Sequence, residues 1–107
     1  MIDKAALTAA LILSSFGLAH GADRTAGLQS ARRLCVNCHV VEPDTAKQTT
    51  LTAGIPSFRA IADKYGQTDA TVKARMLNPH PPMPQVQLTT HELDNLASYI
   101  MSLKGTQ

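Results

Sequence analysis

Apolar and polar positions alternate along this chain with the period of helices. Residues 24–35 bring Leu28, Ala31, Leu34 and Cys35 to one face. Residues 57–65 do the same with Phe58, Ile61, Ala62 and Tyr65, and Gly66 follows as a stop. Over residues 68–77, Thr68 is an N-cap, Val72 and Met76 lie four apart, and Asn78-Pro79 ends the run. Residues 90–104 carry the stripe Leu93, Leu96, Ala97, Ile100, opened by a capping box of Thr89 and Glu92 and closed by Lys104 and Gly105. No stretch reads convincingly as a strand. The pattern predicts an all-α fold of about four short helices.

Two segments break the period. Residues 41–54, VEPDTAKQTTLTAG, form a polar, Thr-rich loop without a distinctive pattern. Residues 78–85, NPHPPMPQ, hold so many prolines that they predict an extended, stiff loop. A third departure opens the chain. Lys4 precedes an apolar run from Ala5 to Ala19, and Ala19-His20-Gly21 then offers small residues for cleavage. Residues 1–22 therefore read as a secretory signal peptide, with cleavage between Gly21 and Asp23. As an uncleaved anchor the run is short, about 15 residues against the roughly 20 that span a bilayer. The working domain is then 23–107, exported to the periplasm, and no later segment is apolar enough to cross a membrane.

Composition sharpens this picture. A domain of about 86 residues has a marginal core. This one has no Trp, two Tyr and, outside the leader, a single Phe, Phe58. Such a chain gains from an internal staple. The formal charge of +2 is nearly neutral, and the basic residues are scattered without aromatic interleaving, which excludes a nucleic-acid surface.

The only two cysteines stand in Cys35-Val36-Asn37-Cys38-His39. A disulfide between them would close a loop too tight to restrain much of the unfolded chain. A redox-active C-x-x-C belongs beside a βαβ pattern, which is missing here. Zinc asks for four ligands, and the cluster offers three. C-x-x-C-H is also the attachment signature of c-type haem, and this reading uses every residue. Cys35 and Cys38 lie about one helical turn apart, so their sulfurs reach two vinyl groups on one porphyrin edge. His39 turns its imidazole under the ring towards iron. One covalent haem would also be the apolar body that the core lacks.

The other side of the iron has several candidates. Met76 and Met101 fall on apolar helix faces, where core packing is the better expectation, and His91 falls in an exposed first turn. Met83 stands among Pro79, Pro81, Pro82 and Pro84. A thioether held on a stiff loop loses little entropy on binding, so Met83 is the expected sixth ligand, with His80 as the alternative.

With these pieces in order, the chain resembles the class I c-type cytochromes, in particular the small soluble bacterial ones, over nearly all of residues 23–107. Residues 24–39 are similar to the family's first helix running into its haem motif, with Gly27 and Ala31 near the small-residue contact positions. PHPPMP resembles the methionine loop. LDNLASYIMSLK resembles the C-terminal helix that crosses the first, with Leu96 and Tyr99 at its packing positions. The resemblance implies a cytochrome c-like fold around one haem c. It also implies a proline carbonyl that accepts the proton on the axial histidine's far nitrogen, which fixes the ring. Pro56 is the expected counterpart, with Pro43 competing.

The function implied is a monomeric, periplasmic single-electron carrier and not an enzyme, since a His/Met iron leaves no vacant position. It would pass electrons from a dehydrogenase or quinol-oxidising complex to an oxidase or reductase through the haem edge near Cys35 and Cys38. Arg32, Arg33 and Lys47 flank the motif and could steer an acidic partner, against the simpler view of an ordinary solvated face. Two alternatives share the residues: a dedicated haem subunit of one oxidoreductase complex, and a gas sensor or peroxidase-like protein in which Met83 is displaceable.

Overall fold

In the computed structural model, residues 21–43 and 54–106 are described, and they contain four helices and no strand. Helix α1 spans Arg24–Leu34, α2 Phe58–Asp63, α3 Asp69–Leu77 and α4 Thr90–Ser102. The leader proposed above falls almost wholly on residues 1–20, outside the described residues, as does Lys47.

Each helix starts on a side chain that satisfies otherwise orphaned backbone N–H groups. Asp23 accepts from the N–H groups of Thr25 and Ala26, and Ser57 from that of Ala60. Thr68 and Thr89 each begin a reciprocal capping box, with Thr71 and Glu92. Glu92 also pairs with Arg33, at 3.0 Å. The Thr89 backbone N–H holds the Glu92 carboxyl below its ordinary value of 4.5, and Arg33 adds to the effect. A depressed carboxyl stabilises the fold above its unfolded value and loses that contribution as pH falls through the folded one. Glu92→Gln keeps a capping partner and removes the charge. We expect it to melt below the parent at neutral pH, and the difference to shrink as pH is lowered beneath 4.5. Thermal unfolding across that range checks this, and a constant difference would refute it.

The core is built on the crossing of α1 and α4. Leu96, Ala97, Tyr99 and Ile100 on α4 are buried, and Gly27, Ser30 and Ala31 face them from α1. A Cβ added to Gly27 would stand 2.1 Å from the Asn95 carbonyl oxygen and 2.8 Å from Tyr99 Cβ. The axes approach this closely because position 27 has no side chain. Asn95 Oδ1 also accepts the backbone N–H of Asp23 at 2.8 Å, which fixes the start of α1 on α4. The stripe expected on α1 is thus divided. Its small residues meet α4, Leu28 is partly buried against the core, and Leu34 and Cys35 turn towards a cleft. Val72 closes the core from α3, Phe58 and Ala62 from α2.

Tyr65 departs from expectation. The spacing places it on the apolar face of a helix over 57–65, but α2 ends at Asp63 and Tyr65 is fully exposed. Lys64 leaves the helical region (φ −59°, ψ 136°). The Ile61 carbonyl accepts the Lys64 N–H at 3.3 Å and the Gln67 side-chain amide at 3.0 Å. Gly66 then turns the chain at φ +72°. Met76 and Met101 are half-buried against the core, and His91 is exposed, as their positions predict.

Candidate functional site

The CVNCH segment continues from α1. The N–H of Cys35 still donates to the Ala31 carbonyl at 2.8 Å. The Cys35 carbonyl then accepts from both Cys38 and His39, at 3.2 and 2.9 Å. This tight turn presents both sulfurs and the imidazole on the side where Leu34 emerges from α1.

His39 is held from two directions. Its Nδ1 lies 2.7 Å from the Pro56 carbonyl oxygen. A carbonyl only accepts, so Nδ1 carries the proton and the lone pair resides on Nε2. The ring also packs against Phe58, with centroids 5.4 Å apart and planes tilted by 48°. Phe58 in turn meets Tyr99 at 6.3 Å. The Tyr99 hydroxyl donates to the Val41 carbonyl at 2.5 Å, and the Phe58 N–H donates to that of Val40 at 2.9 Å. The imidazole therefore stands on a stack that reaches the α1–α4 crossing. Of the two prolines considered, Pro56 makes the contact, whereas Pro43 borders a separate small hollow beside Glu42 and Arg59.

Cys35, Cys38, His39 and Pro56 line a cleft of about 370 Å³. The proline loop adds His80, Pro82, Met83 and Pro84 to the lining. Leu34, Ile55 and Val86 make the lining mostly apolar, and among the described residues no carboxylate takes part. Arg75, on α3, joins the lining. The sequence reading passed it over because position 75 counts as a polar helix residue, and only the fold brings it beside the cleft. The cleft thus unites the expected site residues Cys35, Cys38, His39, Pro56 and Met83 with His80. It excludes Met76, Met101 and His91.

The arrangement discriminates among the readings of the cysteines. Among the described residues, no three His, Cys, Asp or Glu side chains converge on a position for a metal ion, which argues against zinc. A thiol–disulfide exchange site needs a thiol of lowered pKa. Here burial, reinforced by the neighbouring Cys38, pushes the Cys35 thiol up to about 11. A large, flat, apolar group bound through both sulfurs fits what is present. A fixed imidazole and a thioether both line the cleft, and its walls are mostly apolar.

Comparison with known proteins points the same way. The family model described as cytochrome c matches residues 25–104. Cytochrome c-552 of Bradyrhizobium diazoefficiens is 34% identical over 93 residues, covering 87% of this chain and 86% of that protein.

Proposed function

We propose that this chain, which belongs to the cytochrome c family, is a periplasmic carrier of single electrons whose haem lies between His39 and Met83. Its cofactor is the family's covalent haem c with its iron. The observation that carries the reading is the cleft itself: attachment sulfurs, a fixed imidazole and a loop-borne thioether all line it.

When bound, the haem supplies a one-electron ferric/ferrous couple. The residues of the chain do the rest. Cys35 and Cys38 hold the porphyrin edge as thioethers. His39 presents the Nε2 lone pair, and the Pro56 carbonyl raises its basicity through the shared proton. Met83 offers sulfur, a ligand that favours the ferrous form relative to a second imidazole and raises the potential. Leu34, Ile55 and Val86 keep water away. With His39 nitrogen and Met83 sulfur both offered to the iron, substrate and oxygen would find no vacancy, and the reading is a carrier of electrons and not an enzyme.

The leader-like residues 1–22 support export. Among the described residues no helix is long and apolar enough to cross a membrane. Its partners are redox proteins, and we propose a donor and an acceptor that each dock briefly over a small area near Cys38. Arg32 is paired with Glu42 and Arg33 with Glu92. These two arginines thus belong to an ordinary solvated face, not to a steering patch.

The test is carbon monoxide added to the purified ferrous protein at neutral pH. We expect an unchanged visible spectrum, for the native chain and for Met76→Ala alike. Ready binding by the native protein would overturn the filled sixth position and make a sensor or enzyme the leading reading.

A further inference from the structure

The loop that offers Met83 carries a second donor for iron. His80 and Met83 are the first and last residues of one tight turn, closed by the Met83 N–H donating to the His80 carbonyl at 2.9 Å. Such a turn keeps its end Cα atoms within about 7 Å. Both residues line the same cleft as His39.

The two are held differently. Met83 is half-buried, and His80 is exposed. The His80 imidazole has no hydrogen-bond or ion-pair partner among the described residues. Nothing has to be broken for it to swing about its own side-chain bonds. Among the described residues the cleft lining contains no Lys, Asp or Glu that could compete for a metal, and His91 lies on α4 away from it. Neutral imidazole is a good donor to iron, and relative to thioether it favours the ferric state.

We infer that His80 is a reserve axial ligand, which takes the sixth position when the Met83 thioether is removed. This inference rests on the placement of haem between His39 and Met83. The exchange moves no electron or proton. One iron–sulfur bond breaks, and the free lone pair of a neutral His80 nitrogen forms an iron–nitrogen bond. The iron stays closed to small molecules, at a lower potential.

The experiment compares ferric spectra, visible and electron paramagnetic, of the parent, His80→Ala, Met83→Ala and Met83→Ala/His80→Ala. Covalent haem content and helical circular dichroism are measured on the same samples. The parent and His80→Ala should share one low-spin spectrum. Met83→Ala should give a different low-spin spectrum, of two-nitrogen type, and the double variant a high-spin one. Added imidazole should return the double variant to low spin, which shows that its cleft is intact. If Met83→Ala is already high-spin, the reserve role fails while Met83 stands as resident ligand. If Met83→Ala and the double variant are both low-spin, another donor acts and the inference fails. If His80→Ala alone turns high-spin, or Met83→Ala leaves the parent spectrum unchanged, the assignment of Met83 itself is overturned.

Discussion

Gly27→Ala should lower the melting temperature of the haem-loaded protein by about 15 °C. The sign is the informative part. In an exposed helix interior, alanine is better than glycine by about 0.5–1 kcal/mol, so propensity alone predicts stabilisation. Position 27 is buried, and its new Cβ would stand 2.1 Å from the Asn95 carbonyl oxygen. That oxygen belongs to the backbone of α4 and has no rotamer by which to withdraw. The helices have to separate, which loosens Ala31, Leu96 and Ile100, all nearly inaccessible to solvent. Overpacking against backbone costs about 3 kcal/mol, the upper end of the usual range. That is a large share of the 5–15 kcal/mol or so that holds a domain together. Thermal unfolding followed by circular dichroism decides the matter. An unchanged or higher melting temperature would mean that α1 and α4 do not cross as closely as described.

The second large effect concerns the cofactor as a structural element. Cys35→Ala/Cys38→Ala should yield a chain without cooperative unfolding and with little helix at 25 °C. Among the described residues ten hydrophobic side chains are buried, and three of them are alanine. Leu34, Ile55 and Val86 turn instead towards the cleft. Without the haem these groups face water or collapse on one another, and the ordering entropy of the whole domain remains to be offset. Burial of apolar surface against the porphyrin supplies the missing term, at about 25 cal/mol per Å². Circular dichroism with a thermal scan checks this. A sigmoidal melt in the variant would show that the polypeptide core suffices alone, and the cleft would then be a rigid, preformed site.

Much of the architecture was legible because it depends on local signals. The capping boxes at Thr68 and Thr89 mark where helices begin, and Asn78-Pro79 marks where one ends. The CVNCH segment and the proline-rich loop around Met83, which line one cleft, stand out for the same reason: each compresses its distinctive residues into a few adjacent positions. The Pro56 contact with His39 needed the family resemblance, since no local feature separates Pro56 from Pro43. Where the reading failed, the deciding contact came from elsewhere. Tyr65 keeps helical spacing with Phe58 and Ile61, but Gln67 takes the Ile61 carbonyl and the helix stops before it. Arg32 and Arg33 left steering and an ordinary solvated face both open, because no local signal shows that Glu42 and Glu92 pair with them. Folding brings the acids beside them. Arg75 at the cleft has no sequence signal at all, because only the packing of α3 in the fold brings it there.

The hydrogen bond from Asp23 to Asn95 has a kinetic consequence. It joins residues 72 positions apart, and the α1–α4 crossing around it ties the first helix to the last. The length-dependent entropy of closing such a loop is about 4 kcal/mol, and contacts of this span slow folding. A ribosome-bound fragment that ends before Asn95 and Tyr99 lacks the partner on which Gly27 and Ala31 pack. Synthesis therefore delivers the closing surface long after α1, and the crossing stays open until α4 has been made.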